Sequence, residues 1–229
     1  MIFCIDVRSE VYRRNLESLD QSIETFGFAG FFGMPFEFVP LGQTSGTAQC
    51  PVLLKPAFRI QETIQGAGST ATHQVTASKE ATRTRSRIWK SFQSSAASCF
   101  SFVEALGLSY LFKLVTDSFR ITRPVSSQKS SQLGATTSGP IGLDVSDEGK
   151  SQLSLNTTVT LAENMLRNLG LTKNFAKRVV ICGHSSDVVN NPYRAGLDCG
   201  ACGGHSGEPN ARLAAVILND STVRTQLAL

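Results

Sequence analysis

The chain has 229 residues, with 22 Lys or Arg against 18 Asp or Glu, and a net charge of +4. It is 41% hydrophobic and 17% charged, and it has no long basic run, so nucleic acid is not expected as a partner. No stretch offers the about 20 apolar residues of a transmembrane helix. Because the charged residues Asp6, Arg8 and Glu10 interrupt the first ten residues, we expect no secretory signal peptide here. We therefore expect a cytoplasmic location, with membrane attachment only through a partner or a surface patch.

The first predicted unit is strand, tight loop and helix. The apolar run from Ile2 to Ile5 is typical of a strand inside a parallel sheet. Ser9 offers an N-cap, and a helix is predicted to follow until Gly27. Its apolar face has 4-3-4-3 spacing and consists of Tyr12, Leu16, Leu19, Ile23 and Phe26. Because the buried strand begins at the first residue, we expect the chain to be a fragment of a longer protein.

The middle of the chain gives weaker signals. Glu37–Val39 predicts a second strand, and residues 51–54 predict a third strand or a buried loop. Apolar residues at 3–4 spacing predict a helix over 88–115. Residues 122–158 are rich in Ser, Thr, Gly and Gln, which indicates a long surface insertion or a poorly ordered loop. A short helix is expected over 161–169.

The end of the chain repeats the opening arrangement. The β-branched run Val179–Cys182 predicts a second core strand, and a long loop follows from His184. Pro209 then opens a helix, since proline is tolerated in the first turn. Strand, loop and helix at both ends predict an α/β fold. We expect one domain over residues 1–229, with a parallel-sheet core and flanking helices.

Polar and sulfur side chains gather where the two confident strands end. Cys4, Asp6 and Arg8 follow the first strand, and His184 and Cys199 follow the late one. If these strands are neighbours, all five side chains meet at the carboxyl edge of the sheet. Two Cys and one His with a free fourth position are typical of a catalytic zinc site. Asp6 could occupy that position in a resting state, and pairing with Arg8 could withdraw it.

Other interpretations of the same residues remain open. Cys4 could be a buried apolar residue, because free Cys is commonly buried. Asp6 and Arg8 could be an ion pair at a helix N-terminus. Cys199, Cys202 and His205 could form a local structural zinc site, although no fourth ligand is evident nearby. The roles of Cys202 and His205 are left open.

Two motifs resemble known proteins. Cys4-Ile-Asp6-Val-Arg8 resembles the first zinc motif of β-type carbonic anhydrases, Cys-x-Asp-x-Arg. Residues 182–212 are more specific and resemble the probable inorganic carbon transporter subunit DabA family, as do residues 47–56. The ordinary β-type enzyme has its His and second Cys close together, whereas His184 and Cys199 lie fifteen positions apart, as in the transporter subunit. Proteins of that family are several times longer than this chain.

The resemblance implies a function and a set of site residues. Cys4, Asp6, His184 and Cys199 would bind Zn²⁺ in a β-carbonic-anhydrase-like domain, with Arg8 holding Asp6, and Asp6 and Arg8 would act in catalysis. The expected reaction is hydration of CO2 to bicarbonate within an energy-coupled uptake complex. The implied partner is a membrane-embedded, cation-coupled, DabB-like subunit, with this chain peripheral at the cytoplasmic face of the inner membrane. The alternatives are a free-standing β-type carbonic anhydrase and a non-catalytic, zinc-stabilised interaction domain.

Overall fold

The computed structural model describes residues 1–64, 69–94, 96–119, 121, 141–144, 153–186, 193 and 196–228. The chain divides into two compact units. The α/β unit comprises Met1–Thr63 and Gly142–Leu229, and the helical unit comprises Ile64–Ile141. No helix in these described ranges combines the length and apolar character that a bilayer span requires.

Strands and helices do not alternate strictly along the described residues. The strands are β1 (Ile2–Cys4), β2 (Phe26–Phe28), β3 (Phe36–Val39), β4 (Thr47–Gln49), β5 (Phe58–Ile64), β6 (Ile141–Asp144) and β7 (Ile181–Cys182). The helices are α1 (Val7–Leu19), α2 (Ser69–Ser94), α3 (Ala96–Ser118), α4 (Leu155–Asn168), α5 (Glu208–Asn219) and α6 (Ser221–Gln226). A 3₁₀ turn over Gly200–Cys202 lies in the long loop before α5.

The first sheet is parallel, as the sequence predicts. Its strand order is β2-β1-β7, so the first strand of the chain is the central one. Ile2 is aligned with Phe26 on one side and with Ile181 on the other. All three residues of β1 are buried, which explains why the strand is an uninterrupted apolar run.

A second sheet, of mixed direction, was not predicted from the sequence. Its order is β4-β3-β5-β6, with β3 antiparallel to β4 and parallel to β5. Rings of Phe36 and Phe58 stack across β3 and β5 with their centroids 5.9 Å apart. The fold is therefore mixed α/β, with one parallel sheet, one mixed sheet and helices around them.

Helices α4 and α5 supply much of the hydrophobic core of the α/β unit. Ser154 caps α4, because its hydroxyl accepts a hydrogen bond from the Thr157 amide at 3.3 Å. The helix buries Ala162 and Met165 completely. Pro209 lies in the first turn of α5, as predicted, and Leu213 on the same helix is fully buried.

Helix α1 differs from its prediction. It begins directly after Asp6, whose carboxylate accepts from the Arg8 amide, and it ends at Leu19. None of its residues is buried, and Leu19 is 81% exposed. Phe26, predicted to continue the apolar face of this helix, belongs to β2. The regular apolar spacing was therefore a poor guide to burial.

The structure contradicts one of two further predictions and describes only part of the other. Residues 51–54 form an exposed turn closed by the Leu54 amide on the Pro51 carbonyl, with Leu53 96% exposed, so the predicted buried segment was wrong. Of the predicted insertion over 122–158, residues 122–140 and 145–152 lie outside the described residues. The part of 122–158 that is described contains strand β6 and the beginning of α4.

The described part of the helical unit contains α2 and α3. The prediction placed a helix over 88–115, whereas α2 already begins at Ser69 and α3 begins separately at Ala96. The two helices contact each other. Large apolar side chains of α3 are exposed within the structure, among them Phe100 at 75%, Leu108 at 86% and Phe112 at 76%.

Candidate metal centre

The candidate site lies at the carboxyl edge of the parallel sheet. Strand β1 ends at Cys4, and β7, its direct neighbour, ends two residues before His184. Parallel neighbours end at the same edge, so the residues that follow them are brought together. The sequence prediction of a shared site required these two strands to be neighbours, and β1 and β7 are neighbours.

Three potential ligands converge at this edge. The sulfurs of Cys4 and Cys199 and a ring nitrogen of His184 all lie within 4.8 Å of one another. The two sulfurs are 3.5 Å apart. Cys4 is 1% exposed and Cys199 is 7% exposed, so water has little access to either thiol.

The chemistry of these donors fits a metal ion. The Nε2 atom of His184 is buried and has no hydrogen-bond partner among the described residues. A buried polar atom without a partner is costly, and a metal would satisfy it. Two thiols and an imidazole form the donor set that zinc prefers. The arrangement therefore suits a zinc-like cation, and Cys4, His184 and Cys199 would hold it.

Close backbone packing fixes the position of His184. A Cβ placed on Gly183 would lie 2.2 Å from the Gly207 carbonyl oxygen, so only glycine fits next to the histidine. The Gly207 amide in turn donates to the His184 carbonyl at 2.9 Å. These contacts join the end of β7 to the start of α5. They fix the backbone of His184, from which the imidazole extends.

Gly30 provides a space for the sulfur atoms, a role that sequence analysis missed. A Cβ at this position would lie 2.6 Å from the Cys4 sulfur, 2.8 Å from the Cys202 sulfur and 3.1 Å from the Cys199 sulfur. Any side chain here would displace the thiols. The local sequence Phe-Ala-Gly-Phe-Phe-Gly gives no signal for this, because the contact depends on chain segments far apart in sequence.

Asn210 is a second residue whose role was missed. Its amide nitrogen donates to the backbone carbonyls of Phe31 at 3.2 Å, Met34 at 2.8 Å and Gln49 at 3.0 Å. The side chain is completely buried in the first turn of α5. It ties that helix to the segment just after Gly30 and so supports the wall behind the thiols.

Asp6 is not one of the three converging donors. Its Oδ1 accepts from the Arg8 amide at 2.7 Å and from Arg8 Nε at 3.0 Å. Its Oδ2 accepts from Arg8 Nη2 at 2.8 Å, and the same nitrogen also donates to the Leu197 carbonyl at 3.1 Å. The structure thus has Asp6 paired with Arg8, and it does not bring the carboxylate into the group of Cys4, His184 and Cys199.

The pKa values of the buried thiols and of the Asp6 carboxyl are shifted in opposite directions. Burial raises the pKa of the Cys4 thiol to about 12, and the adjacent Cys199 adds to the rise. Burial and then Cys199 also raise the pKa of the Cys202 thiol far above its usual range. The Arg8 guanidinium, by contrast, holds the pKa of the Asp6 carboxyl well below its usual range. Asp6 is therefore ionised, whereas Cys4 and Cys202 keep their protons until something replaces them.

A cavity of about 350 Å³ opens over these residues. Its polar lining residues include Asp6, Arg8 and His184, and its apolar lining residues include Phe3 and Tyr12. The two rings meet edge to face, with centroids 5.8 Å apart. The cavity thus joins the candidate metal ligands to a small space of mixed polarity.

The alternative local zinc site consists of Cys199, Cys202 and His205, and the structure brings only part of this set together. Cys202 is fully buried beside the other two sulfurs. His205 is exposed and does not belong to the group of three converging donors. Of the loop between His184 and Cys199, residues 187–192 and 194–195 lie outside the described residues, including the Asn-Asn-Pro segment of the family motif.

Comparison with known proteins identifies the family. The family model for the probable inorganic carbon transporter subunit DabA matches residues 1–229. The chain belongs to the DabA family. DabA of Roseiflexus castenholzii is 46% identical over 229 residues, and a DabA of Bradyrhizobium sp. strain BTAi1 is 48% identical. One from Rhodopirellula baltica is 45% identical over 240 residues. The resemblance found in the sequence is confirmed.

The chain spans about a quarter of these relatives. The matches cover 98–100% of the chain but only 26–27% of the relatives' own length. This agrees with the expectation that the sequence is a piece of a longer protein. No solved structure matches the chain.

Proposed function

We propose that this chain is the zinc-binding part of an inorganic carbon uptake subunit that hydrates CO2 to bicarbonate. The observation that carries the proposal is the convergence of Cys4, His184 and Cys199, with a buried and unpartnered imidazole nitrogen. Membership of the DabA family supplies the substrate class, since its relatives are named as probable inorganic carbon transporter subunits. A zinc ion held here would supply hydroxide from water near neutral pH.

Asp6 and Arg8 are proposed to act beside the metal. Arg8 keeps the Asp6 carboxylate ionised and fixes its direction through two side-chain hydrogen bonds and one from the backbone. An ionised carboxylate lining the cavity can accept a proton or a hydrogen bond from a reacting water. The sequence prediction also gave Asp6 a ligand role, which would require the carboxylate to leave Arg8.

The cavity has the character that the proposed substrate and product require. Carbon dioxide is small and apolar and suits the rings of Phe3 and Tyr12 in the lining. Bicarbonate is anionic and suits the guanidinium of Arg8 in the same lining. A volume of about 350 Å³ admits either molecule together with water.

The partner belongs to the same proposal. We infer that the full-length protein works with a membrane-embedded, cation-coupled subunit at the cytoplasmic face of the inner membrane, because hydration by itself does not drive net uptake. The word subunit in the relatives' names supports an assembly.

Metal analysis tests the centre directly. The purified chain should contain one zinc, and Cys4→Ala and His184→Ala should each lose most of it, because each removes a converging donor. The control is Cys50→Ala, another buried thiol, whose sulfur donates to the Leu54 carbonyl in its own turn. Full zinc content in both ligand variants would show the assignment to be wrong.

Activity assays separate the proposal from its alternatives. Hydration by the purified chain alone would favour a free-standing carbonic anhydrase. Hydration only when the full-length protein is assembled with its membrane partner would support the uptake subunit. Zinc bound at full occupancy, with no exchangeable position in any assembly, would favour a non-catalytic interaction domain.

A further inference from the structure

Helix α3 has a broad apolar face that is exposed in the structure. Large apolar side chains are exposed along most of its length, namely Phe100, Val103, Leu108, Leu111, Phe112 and Val115. At about 100° per residue, they occupy roughly half of the helix circumference. None of them belongs to the hydrophobic core cluster of the described residues. Exposed apolar surface of this extent marks an interaction site.

Helix α2, which contacts α3, concentrates the positive charge of the chain. Between Ser69 and Ser94 it has one acidic residue, Glu80, and five basic residues, which are Lys79, Arg83, Arg85, Arg87 and Lys90. Its net charge is therefore +4, which equals the net charge of all 229 residues. The side chains of Arg85 and Arg87 are exposed. Basic residues beside an exposed apolar helix face are typical of a surface that contacts anionic lipid.

The C-terminal half of α2 combines basic and aromatic side chains on its surface. Ile88 is 64% exposed and Trp89 is 43% exposed. Arg85 lies three positions before Ile88, so the two side chains share one face of the helix. A groove of about 960 Å³ is lined by Arg85, Ile88 and Trp89, among other residues of α2. Tryptophan and arginine beside apolar side chains suit the boundary between lipid headgroups and acyl chains.

The combination of charge and apolar area decides between possible occupants of this surface. A second copy of the chain would cover α3, but its own α2 has the same +4 charge and would repel the first. Nucleic acid would neutralise α2 but would not bury the apolar face of α3. An anionic bilayer satisfies both helices, because its phosphates attract basic residues and its acyl chains accept apolar side chains. Since no described helix is suited to span a bilayer, α2 and α3 would lie along its surface.

We propose that α2 and α3 form a docking surface for anionic phospholipid, with both helices lying along the bilayer. The arginines of α2 contact headgroup phosphates, and the apolar face of α3 enters the outer part of the acyl region. The surface attaches the chain to the membrane directly, in addition to any contact with a membrane-embedded subunit. It uses no residue of the metal centre, so the inference goes beyond the proposed function and does not depend on it.

Trp89 provides a probe for this surface, because it is the only tryptophan of the chain. Vesicles of equal parts phosphatidylglycerol and phosphatidylcholine should bind the purified chain in a flotation assay and shift the Trp89 emission to shorter wavelength. Phospholipids brominated on their acyl chains should quench this emission. Vesicles of phosphatidylcholine alone should bind the chain at least about 30-fold more weakly, because they lack the anionic headgroups that attract α2. Salt at about 1 M should weaken binding to the anionic vesicles, since it screens the attraction.

A charge-removing variant tests the contribution of α2. Arg85→Gln combined with Arg87→Gln removes two exposed positive charges and should lower the partition coefficient on the anionic vesicles about 30-fold. The matched control is Arg14→Gln combined with Arg178→Gln, which removes two exposed arginines from the α/β unit. This control should partition like the wild type, although its net charge changes by the same amount.

An apolar-to-polar variant tests the contribution of α3. Leu108→Ser combined with Phe112→Ser should lower the partition coefficient by more than about 10-fold, because less apolar area enters the bilayer. The matched control is Val52→Ser combined with Leu53→Ser, two exposed apolar residues of the α/β unit, and it should partition like the wild type. Circular dichroism checks that all variants are folded.

Several results would overturn the inference. One is a wild-type chain that does not bind the anionic vesicles, or that binds them no better than the Arg85 and Arg87 variant. Self-association that shifts the Trp89 emission without vesicles would assign the surface to a second copy. Binding by this chain but not by the full-length protein, purified without its partner, would show that the rest of the protein covers the surface. Cys4→Ala should bind vesicles like the wild type even when it has lost its zinc, so failure of this inference can be told from failure of the proposed function.

Discussion

The two halves of the candidate centre are held in opposite ways. The thiol half is part of the hydrophobic core, where Cys4 and Cys202 are at most 1% exposed. The carboxylate half lies at the surface, where the Arg8 side chain is 59% exposed and that of Asp6 is 18% exposed. The first half depends on packing, and the second depends on one ion pair. We therefore expect that substitutions in the thiol half change metal affinity, and that substitutions in the carboxylate half change reactivity.

The same contrast explains how each half responds to a cation. The raised pKa of the buried Cys4 and Cys202 thiols keeps them protonated, so metal binding at a protonated thiol has to expel its proton, and the bond formed must exceed that cost. Asp6 is already ionised by its pairing with Arg8 and can respond without a change in burial. We therefore expect the buried half to determine whether a metal is retained, and the exposed half to determine the reaction beside that metal.

The largest expected effect comes from filling the space at Gly30. Gly30→Ala places a carbon 2.6 Å from the Cys4 sulfur and 2.8 Å from the Cys202 sulfur, closer than real contacts allow. The thiols must move apart, so we expect zinc affinity to fall by about 100-fold, at the upper end for residues around a metal site. Competition with a chromophoric chelator measures it.

The matched control for this substitution is Gly200→Ala. A Cβ there meets nothing within 4 Å, although the residue directly follows Cys199. Its affinity should stay near that of the wild type. Equal affinities in the two variants would show that the thiols do not depend on the space at Gly30.

The next effect concerns the support of the thiol half. Asn210→Ala removes the donor shared by three carbonyls, two of them in buried hydrogen bonds, so the free energy of unfolding should fall by about 2 kcal/mol. Urea denaturation followed by circular dichroism measures it. Asn219→Ala on the same helix removes one exposed bond to the Ala215 carbonyl and serves as the control. A similar small loss in both variants would contradict the support assigned to Asn210.

In the exposed half we expect a loss of activity without a loss of zinc. Arg8→Gln removes the guanidinium that holds Asp6, so CO2 hydration in the assembled complex should fall about 10–100-fold while zinc content stays unchanged. Arg14→Gln, exposed on the same helix, should change neither quantity. Loss of zinc in Arg8→Gln comparable with that in Cys4→Ala would remove the distinction between the two halves.

The comparison also shows what the sequence could predict. Strand β1 was predictable, because short apolar runs in parallel sheets carry their own signal. Of the core strand predicted over Val179–Cys182, only the half-buried Ile181–Cys182 forms β7, and Val179 and Val180 are each 43% exposed. Cys4, His184 and Cys199 were predictable as candidate metal ligands from their positions after the two strands and from the DabA resemblance. Their convergence could not be derived, since it depends on the pairing of β1 with β7, about 180 positions later.

The second sheet was missed for a related reason. Strand β5 alternates between buried and less buried positions, but one of its inward side chains is Glu62. This carboxylate accepts from the Leu41 amide at 3.1 Å and pairs with Arg212 at 3.1 Å. A charged residue at an inward position hides the period-2 pattern, and its partner lies 150 positions away in sequence.

The smallest expected effect lies where the two halves join. The Ser9 hydroxyl is within hydrogen-bond distance of the Cys4 carbonyl at 2.6 Å and of the Asp6 carbonyl at 2.9 Å, so it ties the buried strand to the exposed pair. Ser9→Ala should lower the free energy of unfolding by about 1 kcal/mol. Urea denaturation measures this loss, and zinc content should remain unchanged. Ser18→Ala, which loses only a bond to the Asn15 carbonyl in the same helix, is the control. If Ser9→Ala instead lost zinc at unchanged stability, the thiol half would depend on the surface half, and the two could not be changed separately.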